Sequence, residues 1–525
     1  MMKKAIKKLL AALLAVAMVC AMAIPAFAYN TEEDLNAIHG YSAFQIFTGD
    51  VSDDNTISNV QWGSNITDSD EFLAQLMADP TIGGNFKTNF TAQDVLAVIS
   101  KWSNSDDNSI AFARVVCHYL YPDANANPEP VATGHTGGFE VPKPGYYLIV
   151  DTTYFNLSDF YHAYNSFLLK VTKAHYGFTI NHKVVKPYVE KEVYDNQDGT
   201  NEAGFGSSAD HAINEEFQFK LTATLPASPD RAYDYYKEYA VLFNDTLSNG
   251  ITYDRLDSVV IKSNGIPYDI TNDSSMYEVD DSRLESDHYF VVGIPDVKAC
   301  GAGLNLNAGA TITVTYTAHL NENAAVNGST DNKNKVQLQY SNNPRNSAYW
   351  GFTPESAVCV YTYQLNNTKY HDKANSGNEL EGAGFSLYSD EACTQEVKLY
   401  KEGAFYYPIK NATGKTAVEM KSAADGTFNV KGLDAGTYYL KETTPPAGYS
   451  ACDKTRIVIS ATHDEHNVNL SGESNLNNKI INIKAGGITL PSTGGIGTTL
   501  FYVVGGGLMV AAIVLLVTKK RMENK

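Results

Sequence analysis

The sequence predicts a mainly β chain of tandem antiparallel β-sandwich domains, the first domain being mixed with helical insertions. Three observations lead there. Tyr, Val and Thr are plentiful, and Gly, Asn and Asp punctuate the chain often, which is the pattern of short strands and turns. Stretches such as "FQFKLTATL", "ATITVTYTA", "KVQLQY", "GTFNV" and "GTYYLKE" recur at the spacing of an antiparallel sandwich. Helical periodicity is confined to the first third. There "SDEFLAQLM" sets Phe72, Leu73, Leu76 and Met77 at helical spacing, and "TAQDVLAVISKW" opens on a Thr91/Asp94 capping-box pair.

The elements follow in order. Lys3, Lys4, Lys7 and Lys8 precede an apolar stretch over 9–23, and Ala26, Phe27 and Ala28 form the small-x-small pattern of a cleaved leader, so 1–28 is read as a signal peptide. Residues 29–183 form the mixed domain, with strands such as "YSAFQIF" and "GYYLIVD" among its helices. Residues 184–361 and 362–488 are read as two Ig-like sandwiches, since a mature chain of roughly 465 residues is too long for one core. Within 489–525, a run over 499–518 of roughly 20 uncharged residues is long enough to cross a bilayer as a helix. Lys519, Lys520 and Arg521 behind it belong on the cytoplasmic side, which puts the rest of the chain outside.

The formal charge is −19; without the four signal lysines it becomes −23, and without the tail after Thr493 (four basic residues, one acidic) −26. Nucleic acid is therefore not an expected partner, because binding it needs a basic face. Outside the signal lie Cys117, Cys300, Cys359, Cys393 and Cys452, with no CxxC or zinc spacing. Cys393 and Cys452 share one segment and are the one candidate pair; free buried thiols are the alternative. No cofactor or metal is expected. Asp195, Asp198 and Glu202 in "YDNQDGTNEAG" lack EF-hand spacing and read as a solvated turn, and no Ser/His/Asp set for turnover chemistry stands out, so the chain is not read as an enzyme.

Side-chain parity along the strands is more informative. In "YVEKEV", Lys191 shares a face with Val189 and Val193, and in "YTYQLNNTK", Lys369 shares one with Tyr361, Tyr363 and Leu365. Two lysines thus point at cores, where a bare ammonium opposes folding by several kcal/mol or loses its proton. Each has an inward acid to answer it. Asp245 has the parity of Val241, Phe243 and Leu247, and Glu442 that of Tyr438 and Leu440. Late in each domain comes an asparagine: Asn334 or Asn332, both with the parity of Val336 and Leu338, and Asn482, whose parity is ambiguous among isoleucines. Such a set is either a buried ion pair with a hydrogen-bonded amide or the precursor of an intramolecular Lys–Asn isopeptide bond.

These features resemble one family, the sortase-assembled pilus backbone (major fimbrial) subunits of Gram-positive bacteria. "HGYSAFQIFTGDVS" with "NVQWGSNI" resembles the start of their N-terminal domain, "YSNNPRNS" the end of their middle domain, and "GLDAGTYYLKETTPPAGY" the E-box of their last, CnaB-type domain. Leu490, Pro491, Ser492, Thr493 and Gly494 are similar to the LPXTG sorting signal. The resemblance implies tandem Cna-type sandwiches, a Lys369–Asn482 isopeptide bond catalysed by Glu442, and a Lys191–Asn334 bond assisted by Asp245. The first domain departs from the pattern. No lysine or arginine lies between the signal and Lys87, so Asp151 in "GYYLIVD", placed as Glu442 is in "GTYYLKE", has no first-strand lysine to serve.

For the tail, the resemblance implies that a membrane sortase cuts between Thr493 and Gly494 and passes the Thr493 carbonyl to an amine, the span serving as a temporary anchor. If that amine is a lysine of another copy, a class C pilus sortase builds a fibre. If it belongs to peptidoglycan, the housekeeping sortase anchors a monomer to the wall. In "GFTINHKVVKP", Lys183 faces opposite Phe178 and Ile180 and is the candidate pilin-motif lysine, with Lys186 as rival; Asn181 and His182 stand where the family usually has Tyr and Pro. Other copies of the chain, accessory pilins and a host surface ligand are the further partners implied. The alternative function is a wall-anchored adhesin or accessory pilin that does not polymerise.

Overall fold

The computed structural model describes residues 40–51, 57–103, 106–123, 125–135, 140–152, 166–171, 186–196, 203–228, 231–345, 350–485 and Lys519, with backbone only over 166–171. The signal region, Lys183 and the whole of Leu490, Pro491, Ser492, Thr493 and Gly494 lie outside these residues, as does the apolar run 499–518. Among the described residues, no helix is long and apolar enough to cross a membrane.

The first region is a sheet with strand order Ile57–Trp62, Gly40–Val51, Gly145–Asp151, Ser166–Val171, and Ala132–His135 also pairs with Gly40–Val51. Alternation splits its central strands between two apolar layers. Phe44, Ile46, Leu148 and Val150 face the helices, while Tyr41, Ala43, Tyr147 and Ile149 form a second cluster with Val141. The helices are Ser69–Ala78, Ala92–Ile99 and Asp107–Leu120. The Thr91/Asp94 capping box is present, each side chain bonding the other's backbone N–H. Phe72, Leu73 and Leu76 are buried, but Met77, expected on the same face, is 38% exposed because it lies past the edge of the stripe. The helix Asp107–Leu120 was not foreshadowed by the periodicity.

After Lys186 the described chain is almost entirely strand. One sandwich faces a sheet ordered Ile266–Asp269, Ile251–Ser263, Ala310–Leu320, Glu216–Leu225, Tyr188–Asp195, Gly204–Gly206 against another ordered Glu278–Arg283, Tyr289–Ile294, Val241–Leu247, Lys333–Ser341, Ser356–Tyr361, Ser208–Asp210. Phe219, Leu221, Val314 and Tyr316 from the first sheet meet Phe243, Val292, Val336 and Leu338 from the second in one core. The last sandwich pairs a sheet ordered Leu399–Glu402, Phe405–Pro408, Asn429–Leu433, Tyr363–His371, Asn477–Asn482 with one ordered Glu396–Val397, Gly384–Tyr388, Gly436–Thr444, Thr455–Ile459. Tyr400 and Tyr407 of this sandwich belong to the core cluster of the preceding one, and Asn214 donates to Tyr400 Oη (3.3 Å) and to the Pro408 carbonyl (2.9 Å) across the junction.

Candidate functional site

Strand alternation delivers both lysines to the interior. Along Tyr188–Asp195, Lys191, Val193 and Asp195 are buried while Tyr188 and Glu190 are exposed. Along Tyr363–His371, Tyr363, Leu365, Asn367 and Lys369 are buried in alternation. Asp245, Glu442, Asn334, Asn332 and Asn482 are buried as well. The ambiguity at Asn482 resolves because Asn478, Ile480 and Asn482 face inward, leaving Ile481 37% exposed.

In the last sandwich, Tyr363–His371 and Asn477–Asn482 are parallel neighbours, with Lys369 opposite Ile480 and His371 opposite Asn482. The offset lets the Lys369 ammonium donate to Asn482 Oδ1. Glu442 Oε1 accepts from Asn482 Nδ2 at 2.7 Å and stands 3.6 Å from Lys369 Nζ. Glu442 Oε2 is tethered by the Cys452 backbone N–H at 2.8 Å, and Lys369 also donates to Cys452 Sγ at 3.5 Å. Phe385 covers the amine, its centroid 5.3 Å from Nζ. Burial lowers the Lys369 pKa against the pull of Cys452 and Glu442, and burial pushes the Cys452 thiol up to about 11. Gly426, at φ +76°, allows the chain to pass tightly over this strand; a Cβ there would come within 2.5 Å of the Lys369 carbonyl oxygen.

In the middle sandwich the same residue types meet across the two sheets. Lys191 lies on one sheet, and Asp245 and Asn334 on the other, on adjacent strands with Leu247 paired to Asn334. Lys191 donates to Asp245 Oδ2, and to Tyr316 Oη at 3.1 Å. Tyr316 Oη donates to Asp245 Oδ1 at 3.2 Å and accepts from Asn334 Nδ2 at 2.5 Å. Asn334 Oδ1 is buried without a hydrogen-bond partner, an uncommon state for a carbonyl in a core. Asn332, by contrast, spends its amide on backbone: Oδ1 accepts from Ala325 N–H (2.7 Å), and Nδ2 donates to the carbonyls of Ala325 (2.8 Å) and Val360 (2.9 Å). Phe219 and Tyr316 flank the Lys191 ammonium at 5.1 and 5.3 Å. Burial drives the Lys191 pKa down to about 8 despite Asp245, raises that of Asp245 despite Lys191, and holds Tyr316 well above its ordinary value.

One expectation is corrected here. Cys393 and Cys452 do not pair: all five described cysteines are free thiols, Cys452 facing Lys369 while Cys393 Sγ turns to the Glu391 carbonyl. In the middle sandwich, Trp350–Phe352 and Ser356–Tyr361 follow the strand that carries Asn334, so that strand is not the last of its sandwich. Tyr316 and Cys452 are members of the clusters that parity reasoning did not single out.

Comparison with known proteins adds to this geometry. Residues 366–475 match the SpaA family of prealbumin-like fold domains, and residues 482–524 match the LPXTG cell wall anchor motif. The solved T6 backbone pilin of serotype M6 Streptococcus pyogenes, described as a modular three-domain structure, superimposes with a TM-score of 0.50 over 85% of this chain and 96% of that one, at 15% identity. The described chain shares its fold with that pilin. The trypsin-resistant surface T6 protein of the same serotype is 25% identical over 406 residues, which is 66% of this chain and 71% of the relative. The full-length major pilin SpaD of Corynebacterium diphtheriae covers 70% of this chain and 88% of its own at 22% identity, with a TM-score of 0.42. The fold is mainly β in both described sandwiches, and the match to the LPXTG cell wall anchor follows them in the sequence.

Proposed function

We propose that the protein is the polymerising backbone subunit of a covalent cell-surface pilus. What supports this reading above all is one juxtaposition: a SpaA-type domain whose buried Lys369, Glu442 and Asn482 touch one another stands directly ahead of an LPXTG anchor. Sortase cleaves between Thr493 and Gly494 and joins the Thr493 carbonyl to Lys183 of the next copy, with Lys186 as the rival acceptor; Lys186 is half-buried beside the buried Pro187. A class C pilus sortase extends the fibre, and a housekeeping sortase fixes its base to peptidoglycan. Accessory pilins and a host surface ligand complete the partners. The protein itself turns over no substrate.

Its own chemistry is single-turnover cross-linking. In the last sandwich, neutral Lys369 Nζ attacks Asn482 Cγ, the new N–C bond replaces the bond to Nδ2, and Glu442 carries the proton from the amine to Nδ2, so that ammonia leaves. The 2.7 Å approach of Glu442 to the leaving nitrogen suits that transfer. In the middle sandwich, Lys191 attacks Asn334 and the proton travels through Asp245 and the Tyr316 hydroxyl to Asn334 Nδ2. Asn334 rather than Asn332 is the partner because the Asn332 amide is already committed to backbone on both ends.

The deciding experiment is an immunoblot of wall digests boiled in detergent and reductant, comparing wild type with Lys183→Ala. A high-mass ladder that collapses in the variant is the expected result. A ladder that persists moves the acceptor to Lys186, and a single band in wild type replaces the backbone reading with a wall-anchored adhesin or accessory pilin.

A further inference from the structure

We propose that Asp195, Asp210 and His463 form a divalent-cation site at the joint between the two sandwiches. Asp195 ends the strand Tyr188–Asp195 and Asp210 ends Ser208–Asp210, both in the middle sandwich, while His463 ends Ala461–His463 in the last. The three side chains are 8%, 0% and 6% exposed, and their donor atoms lie within 4.8 Å of one another.

Each of the three is tethered by one atom and aims the other at a common point. Asp195 Oδ1 accepts from the Asp210 backbone N–H at 3.2 Å, leaving Oδ2 directed inward. Asp210 Oδ2 accepts from Tyr363 Oη at 2.6 Å, leaving Oδ1. His463 Nδ1 lies 2.8 Å from Ser208 Oγ, which holds the ring with Nε2 turned to the carboxylates. A hydrogen-bonded outer layer of this kind is what orients metal-binding imidazoles and carboxylates. Nε2 stands 3.4 Å from Asp195 Oδ2 and 3.9 Å from Asp210 Oδ1. Both lie within ion-pair range, and the shorter equals the edge of about 3.4 Å that a tetrahedral shell has when its bonds are about 2.0–2.1 Å.

Charge points the same way. Two buried carboxylates beside one imidazole attract positive charge, and a divalent ion held by these three donors would match it, with Zn²⁺ best suited to that donor set. The neighbouring group His211, Glu215 and Asp434 is less suited, because His211 Nε2 is engaged with the Tyr194 carbonyl at 2.7 Å. With two ligands from one sandwich and one from the next, an ion in the first site would set the angle between them.

The test uses the full chain, free of any histidine tag, purified in detergent and stripped with EDTA. Titration with Zn²⁺ followed by calorimetry should give one site per chain, and titration with Co²⁺ should give the intense visible bands of a tetrahedral ion. His463→Gln and Asp195→Asn should each weaken Zn²⁺ binding at least tenfold, while His211→Gln leaves it unchanged. Stripped wild type that takes up neither ion at micromolar concentration overturns the proposal whatever the variants do. Binding that is equal in wild type, His463→Gln and Asp195→Asn overturns it too.

Discussion

The two lysine clusters use the same residue types in different ways. In the last sandwich, the lysine and asparagine sit on parallel neighbours of one sheet, and the acid touches the amide nitrogen directly. In the middle sandwich they come from opposite sheets, the acid holds the lysine, and a tyrosine hydroxyl stands between acid and amide. One arrangement would staple two strands edge to edge and the other two sheets face to face. A buried lysine therefore requires an acid and a polar neighbour but does not dictate the strand geometry that supplies them.

The difference matters most under load. Tension entering at Tyr363 would run to Lys369, cross to Asn482 and leave, so the intervening chain, 113 positions in span, carries none. In the middle sandwich tension would cross from Lys191 to Asn334 and then run through 335–361, which is held by strand pairing and core packing without a cross-link. The largest expected effect is therefore Glu442→Ala. Intact mass should show one ammonia fewer lost than in wild type. Loss of the loop constraint, about 4.7 kcal/mol for a loop of order 100 residues, together with a buried lysine left without its acid, about 3–5 kcal/mol, should lower the last sandwich's denaturant midpoint sharply. An unchanged mass would remove Glu442 from the chemistry.

Next in size is the choice between two amides. Asn334→Ala should retain one ammonia by intact mass and leave the last-domain bond formed, whereas Asn332→Ala should lose both ammonias as wild type does and cost only about 1–3 kcal/mol for its broken backbone bonds. In single-molecule pulling of wild type, the middle sandwich should yield only a short extension from 335–361, about 90 Å at full reach, and the last sandwich none. The opposite assignment would follow if Asn332→Ala retained the ammonia.

Tyr316→Phe sharpens the contrast between direct and relayed proton transfer. Removing the hydroxyl should slow middle-domain bond formation by about 10²–10⁴-fold, the range for a positioned acid–base group, and leave the last domain's rate unchanged. The two rates are separated by peptide mapping after refolding chain recovered unfolded from inclusion bodies. Equal slowing of both bonds would mean that the substitution acts through the fold.

Parity along strands made the lysines, both acids and the pair Asn332 and Asn334 legible as inward residues, without choosing between the two amides, because period-two alternation carries burial directly in the sequence. Tyr316 was not legible: in "ATITVTYTA" an inward tyrosine reads as ordinary core, and only the fold brings Asp245 to its hydroxyl. Cys452 lies in no strand, so it has no parity. The helix Asp107–Leu120 buries Ile110, Ala111, Phe112, Ala113, Val115, Val116, Cys117 and Leu120, nearly all round, and such a helix shows no clean apolar stripe. The Asp195, Asp210 and His463 group joins segments more than 250 positions apart, and no local spacing encodes it.

The smallest expected effect is that of pH on the middle bond, and its sign follows from Lys191. Only the neutral amine attacks, and burial places its pKa near 8 in the folded chain against 10.5 unfolded. During refolding, the rate of middle-domain bond formation should rise about tenfold per pH unit up to about pH 8 and level off above it. In Asn334→Ala, where the amine persists, the folded state gives up its proton near pH 8 while the unfolded chain keeps it to 10.5, so the unfolded state binds more protons in that window. Stability should accordingly climb with pH from about 8 to 10.5 and be flat just below it. A urea midpoint that instead fell across this window would mean that Lys191 stays charged against Asp245. The middle cluster would then be a buried ion pair rather than a cross-link precursor, and the likeness between the two clusters would end at their composition.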